Sequence, residues 1–285
     1  MVLSYSHNLR ISAALLLFGV AQPRALAAQQ SDVGRDTVPA MDPHAVQPER
    51  PTVATHAGTV AAGWVEVETG LERDSYAATR VGWQNPTVIK LGVARNAQLN
   101  VAETVVRPPG TSAGFGDLTV GLKWRLSDAY PVLGRFAVLP SVKFATGSLR
   151  RGLGTGTTDM SMLLISSHAL GGVEMDLNAG YTRRSGNGSA APRDATVWTA
   201  SFGGSLRGPV GWTAECFGYP GTGGPAGSAP IVALLAGPTF LARAWLAFDA
   251  GLIVPIAGPQ PHALYAGTVY NVGQLWGPRG PRHSD

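Results

Sequence analysis

The sequence predicts an all-β fold, a transmembrane antiparallel up-and-down β-barrel of about 12 strands. Three observations carry that expectation. After the N-terminal segment there is no apolar run of roughly 18 residues, so helical spans are excluded and any crossing must be made by strands. Charged residues are 14% of the chain and 37 of its 285 residues are Gly, against about 25% charged and ~7% Gly in ordinary soluble proteins. From Trp64 onward, apolar and polar residues alternate with period two, in segments joined by connections of alternating length.

The elements follow in chain order. Residues 1–27 read as a signal peptide: Arg10 supplies the positive charge, Ile11 to Ala21 the apolar core, and Ala25 and Ala27 the small residues before the cut. The core is too short to cross a bilayer as a helix. Residues 28–62 are rich in Pro, Gln, Asp and Ala without periodicity, the composition of a flexible periplasmic lead-in. The barrel is expected over 63–276, followed by a C-terminal tail, 277–285.

Strands are expected at about 63–72, 83–94, 97–107, 115–126, 135–146, 157–169, 173–183, 194–207, 210–219, 230–240, 244–256 and 263–276. The alternation is cleanest where Leu118, Val120, Leu122, Trp124 and Leu126 oppose Asp117, Thr119, Gly121, Lys123 and Arg125. It returns where Val173, Met175, Leu177, Ala179 and Tyr181 oppose Glu174, Asp176, Asn178, Gly180 and Thr182. Segments 157–169 and 230–240 lack a clean polar face. Short links at Ala94–Ala97, Gly171–Gly172, Gly208–Pro209 and Leu241–Ala244 alternate with long ones such as Pro108–Gly114, Gly147–Gly156 and Arg184–Arg193. That is the pattern of periplasmic turns and extracellular loops, with both termini periplasmic. Ser127–Gly134 is longer than its periplasmic place predicts. Aromatics near strand ends, Trp124, Phe136, Trp212 and Trp276 at one side and Trp83, Phe115, Phe144 and Tyr181 at the other, fit two interfacial girdles; Trp64 and Trp245 share parity with polar or small residues, as inward-pointing rings would.

Several functions are disfavoured by the same residues. The single Cys216 permits no internal disulfide and packs more readily as a small apolar residue than it reacts. A net charge of +4 comes from scattered Arg, with no basic helix or aromatic RNA motif, so no nucleic-acid partner is expected. His44, His56, His262 and His283 lie in the lead-in, a loop or the tail and form no zinc pattern. Ser166 and His168 share a strand face, but no orienting acid stands at a fixed spacing, so neither a catalytic residue nor an enzyme is expected. Gly152 to Gly156 (GLGTG) lacks the Lys and the helix of a phosphate-binding loop and reads as an external loop. No cofactor and no metal are expected.

The blocks ERPTVATHAGTVAAGWVEVETG, IKLGVARNAQLNVAE, GFGDLTVGLKWRL, VLPSVKFATG and MDLNAGY, in that order over Glu49 to Trp276, carry a resemblance. The chain resembles the transporter-like outer-membrane family associated with a meta-pathway of phenol degradation. The most specific element is Asp117 with Lys123 six residues on, followed by Asn178, Gly180 and Tyr181. Ala145, Thr146 and Gly147 depart from the family's usual Leu-Pro-Thr-Gly before the loop. The resemblance implies an outer-membrane barrel proposed to pass small, often aromatic or hydrophobic compounds.

The polar strand faces supply the candidate lumen-lining residues: Glu66, Glu68, Asp117, Lys123, Arg125, Glu174, Asp176, Asn178, Glu215 and Asp249. They either pair to close a plugged barrel or line a passage. The expected role is passive or facilitated passage of small compounds across the cell outer membrane. The alternatives are a structural barrel without transport and a soluble periplasmic β-rich binding protein. Expected partners are outer-membrane lipid, a small-molecule solute and the barrel-assembly machinery.

Overall fold

Every long strand of this chain is hydrogen-bonded to the next, and the last returns to the first, in a computed structural model that describes residues 42–76, 80–186, 193–220 and 229–277. The strands are β1 (Trp64–Ser75), β2 (Val81–Ala94), β3 (Ala97–Arg107), the two-residue β4 (Gly114–Phe115), β5 (Leu118–Tyr130), β6 (Gly134–Phe144), β7 (Asp159–Leu170), β8 (Val173–Arg184), β9 (Asp194–Arg207), β10 (Val210–Tyr219), β11 (Ile231–Arg243), β12 (Leu246–Ala257) and β13 (His262–Gln274). β1 pairs with β13, β2 with β3, and β3 with β5, all antiparallel, so twelve long strands close a meander and β4 is a side pairing on β3. Closure removes the free edge and satisfies the wall's backbone without water, which is what a strand needs to stand in lipid. The expected signal peptide and residues 278–285 lie outside the described residues.

Three strands begin and end where the alternation placed them, and the two without a clean polar face are present as β7 and β11. The long Ser127–Gly134 link is a difference. β5 runs on to Tyr130 and pairs with Gly134 across register shifts at Arg125/Ser127 and Ser127/Tyr130, leaving a turn of Pro131–Leu133. Bulges break the period-two pattern without breaking the ladder, so periodicity lost a strand end that hydrogen bonding kept. Gly171–Gly172 is a two-residue turn between paired Leu170 and Val173. Both glycines have positive φ, 59° and 93°, as a hairpin turn matched to strand twist requires.

The wall is inverted relative to a soluble protein. Leu122, Trp124 and Leu126 are exposed at 41%, 51% and 48%, as are Met160, Met162 and Leu164 on β7. Inward neighbours Lys90, Lys123, Glu66 and Gln98 are fully buried. An apolar outer band around a polar interior is the energetic arrangement a lipid solvent dictates.

Residues 42–62 of the chain lie inside the barrel, bound to its wall, and here the expectation of a flexible lead-in is corrected for those residues. Wall side chains accept backbone amides along its length: Gln47 to Glu66 Oε2 (2.7 Å), Glu49 to Glu68 Oε1 (2.7 Å), Thr55 to Asn178 Oδ1 (2.7 Å), Ala57 to Ser167 Oγ (2.8 Å) and Val60 to Gln98 Oε1 (2.7 Å). Glu215 takes two, from Val53 (2.8 Å) and Ala54 (2.6 Å). A segment without secondary structure can be buried only if its donors find partners elsewhere. The wall supplies them, which local sequence could not reveal.

Candidate functional site

The site is the lumen, and its chemistry begins with a buried charge cluster. Lys90, projecting inward from β2, lies 2.6 Å from Glu66 and 2.5 Å from Glu68 of β1. It also donates to the Gln47 carbonyl at 2.5 Å. Lys123, inward from β5, is paired with Glu49 of the segment and donates to the carbonyls of His56 (3.0 Å) and Gly58 (2.9 Å). Fully buried ions are tolerable only when paired and hydrogen-bonded on every side. These are: Lys90 is shared between two wall carboxylates and the segment, and Lys123 is held by the segment.

Two segment groups are tuned by this cluster. Burial opposes charge on Glu49, but Lys123 and Lys90 outweigh it and hold the carboxyl well below the usual range. His56 is pushed down to about 3, first by burial and then by Lys123. Its Nδ1 accepts the Gly58 amide at 2.9 Å. The imidazole is therefore neutral at physiological pH.

A second anchor is Arg50. Its guanidinium meets Asp249 of β12 at 3.4 Å and lies over Gly70 and Gly267, which face each other across β1 and β13. A Cβ at Gly70 would stand 2.3 Å from Arg50, and one at Gly267 2.4 Å. The paired glycines form a seat that only a missing side chain could make.

The segment divides the lumen. Below it, toward the short turns, a cavity of about 400 Å³ is bounded by Arg50, His56, Glu174, Asp176, Ser201 and Thr213 among others. Above it, toward the long loops, a cavity of about 300 Å³ is bounded by Glu49, Glu72, Val88, Leu235, Ile253 and Tyr265 among others. Arg50, Pro51 and Thr52 border both. The upper wall is apolar on one side, where Phe217, Leu235, Ile253 and Tyr265 pack together.

Of the ten candidate residues, Glu66, Glu68, Lys123, Asn178, Glu215 and Asp249 contact the segment. Asp176 receives Ser167 Oγ at 2.5 Å, orienting the hydroxyl that accepts the Ala57 amide. Glu174 is exposed at the lower cavity. Arg125 stands apart, bonded to Asp128 and the Arg95 carbonyl near the short turns. Asp117 stands at the other end. It binds Lys143 (2.8 Å) and the amides of Gly147 and Thr155 (2.9 Å each), stapling the GLGTG loop. Asp117 and Lys123, one motif in the sequence, thus have separate partners at separate depths of the barrel. Burial opposes ionisation of Asp117, but the Lys143 hydrogen bond and the two amides prevail and lower its pKa.

Arg50, Lys90, Gln98, Tyr265 and the Gly70–Gly267 seat were not among the sequence candidates. Lys90 shares a strand face with Pro86 and Val88, so period-two alternation does not mark that face as polar. Arg50 sits in a segment with no periodicity at all. Ser166 Oγ donates to the Leu133 carbonyl at 2.7 Å and lies 2.9 Å from His168 Nε2. With its proton committed, the hydroxyl can only accept from the imidazole, so the ring is not placed as its base. Trp64 and Trp245 both pack on His44, centroids 5.1 and 6.1 Å away, at the start of the segment.

Comparison with solved structures finds the same architecture. A crystallised outer membrane channel from Pseudomonas putida F1 is similar with a TM-score of 0.55 at 13% identity, over 75% of this chain and 97% of that one. The KdgM porin, over 72% of this chain and 98% of its own, and the NanC porin, over 73% and 98%, each give a TM-score of 0.49 at 9% identity. No curated protein matches the chain. Closed barrel and apolar outer band, with a fold shared with an outer membrane channel, make this an outer-membrane β-barrel. A family model described as "Putative MetA-pathway of phenol degradation" matches residues 49–255, and the chain belongs to that family.

Proposed function

We propose that the protein passes small, largely apolar compounds across the outer membrane without chemistry, and that residues 42–62 must shift locally for each passage. The observation that carries this is the pair of cavities, about 400 and 300 Å³, that share the strip Arg50–Thr52 as a common border. A purely structural barrel has no use for two chambers reaching the same strip from opposite sides. The strip is also weakly held where it matters. Arg50 meets Asp249 at 3.4 Å, longer than a good charge-assisted bond of about 2.7–2.9 Å, whereas the lysine anchors to either side are short. The apolar upper wall supports a solute with an apolar body, since such a surface gains from covering and offers an ion little.

The test is uptake of labelled toluene by cells with an intact lipopolysaccharide outer leaflet, with and without the protein. Faster uptake with the protein, and faster still with Arg50→Ala, is the expected result. Uptake equal to that of cells lacking the protein, for both forms, would leave a structural barrel as the better reading.

A further inference from the structure

One stretch of the outer wall is polar where lipid favours apolar groups. Thr268 of β13, Thr69 of β1, Thr87 of β2 and Glu103 of β3 stand directly opposite one another in the ladder and form a row across four strands. Each has the parity opposite to that of the buried Glu68, Lys90, Asn100 and Val269, so each points outward, and each is half-buried. Leu71 above the row and Ile89 below it are exposed apolar side chains, which places the row inside the outer band. Its upper rim is marked by Trp83 paired with Arg107, about 10 Å above Glu103 on a tilted strand. Elsewhere on the outer face Leu122, Met162, Leu164 and Leu252 meet lipid.

The hydrogen bonding of the row is incomplete. Thr69 Oγ1 and Thr87 Oγ1 are 2.8 Å apart, and Asn85 Nδ2 donates to Thr69 Oγ1 at 3.2 Å. Two hydroxyls joined by one bond leave one hydrogen over, and neither has another acceptor among the described residues. Thr268 Oγ1 gives its own hydrogen to the Ala247 carbonyl at 3.0 Å. Glu103, the ladder partner of Thr87, makes no hydrogen bond or ion pair among the described residues. A spare donor and a bare carboxylate thus stand on adjacent strands at one depth. Within a membrane, ionisable side chains are retained where they meet a partner, and polar side chains join spanning elements.

The partner that carries matching groups at matching height is another molecule of the same protein. Two copies inserted the same way present the row at the same level, and a two-fold axis along the membrane normal, between β2 and β3, sets Glu103 of each opposite Thr87 of the other. We propose that the outer face of β2 and β3 is the contact between two copies of this chain, closed by two equivalent Thr87–Glu103 hydrogen bonds and flanked by the outward Ile89, Leu91, Leu99 and Val101. This inference concerns the outside of the barrel and stands whether or not the lumen conducts.

The test is the association of dye-labelled protein in lipid vesicles, followed by energy transfer as the protein is diluted with lipid, together with cross-linking in native outer membranes. Dimers are expected, and Glu103→Leu or Thr87→Val should each weaken association about tenfold, the effect of losing two membrane hydrogen bonds. The double variant should lose no more than either single one. Glu103→Leu should keep the heat-resistant folded band, because it exchanges a carboxylate for an apolar group on a lipid face. With Cys216→Ala as background, Val101→Cys should cross-link copy to copy through a short bismaleimide, whereas Met162→Cys on β7 should not. Monomers at every dilution, dimers as tight in Glu103→Leu as in the unsubstituted protein, equal cross-linking at both cysteines, or cross-linking of Val101→Cys to a different protein would each overturn the proposal.

Discussion

Two neighbours on β5, one residue apart, live in different solvents. Leu122 is 41% exposed on the outer face and Lys123 is fully buried against the inner segment. Leu122→Arg should cost the folded barrel about 2–4 kcal/mol, the usual penalty for Arg on a lipid face near the midplane, measured by unfolding titration in lipid vesicles. Lys123 was expected either to pair inside a plugged barrel or to line a passage, and in a hydrated passage loss of its charge would be tolerated. It is fully buried and paired with Glu49 of the inner segment. Lys123→Met should therefore strand Glu49 and cost about 3–5 kcal/mol, and Lys123→Met combined with Glu49→Gln should recover part of it. Additive losses in that pair would show that the two do not interact. Alternation in the sequence assigned the faces of β5 but was silent on what Lys123 meets, since Glu49 lies 74 positions away.

At the scale of elements, two structures outside the wall depend on ionised or neutral groups. The loop after β6 is held by Asp117, whose folded pKa is depressed. Such a group stabilises above its unfolded pKa, near 3.9, and the contribution is lost as pH falls through the lower folded value. Amide exchange at Gly147 and Thr155 should rise relative to the strands below about pH 4, and at neutral pH Asp117→Asn should expose Arg150 and Arg151 to trypsin. Unchanged cleavage would mean that Asp117 does not staple the loop. The inner segment answers to acid earlier. His56 is neutral in the fold, with its pKa pushed down to about 3, while an unfolded or released His titrates near 6.5. The released form binds the extra proton, so docking weakens steadily from about pH 6.5 down to about pH 3. Glu49 acts in the same direction at lower pH, because its depressed pKa favours docking only while it is ionised. Channel conductance in planar bilayers should therefore rise as pH falls below 6.5, and His56→Gln should remove the part of that rise that lies between pH 6.5 and 5. A conductance independent of pH in that range would contradict a docked, neutral His56.

For the whole molecule, the question is orientation and independence of the parts. The long connections share one end of the barrel and the short turns the other, which in bacterial outer-membrane barrels places the long ones outside the cell. An epitope inserted between Ser185 and Arg193 should be reached by antibody on intact cells; access only after lysis would reverse the barrel. The wall's ladder is continuous without the inner segment, whereas that segment takes its backbone partners from the wall. The barrel is the scaffold and the segment its guest.

By itself the sequence determined the wall: residue parity set which side meets lipid, and the alternation of short and long links set a meander that closes. Parity is local, written every two residues, so it survives reading one strand at a time. The fate of residues 42–62, the pairing of Lys123 with Glu49 rather than with a wall carboxylate, and the seat of Arg50 over Gly70 and Gly267 were decided only by the tertiary structure. Each depends on which groups face one another across a closed lumen, and closure brings together residues far apart in the chain, 199 positions for Arg50 and Asp249. A one-dimensional pattern carries the direction in which a side chain points but not what stands opposite, and inside a barrel it is the opposite wall that sets charge, burial and room for a solute.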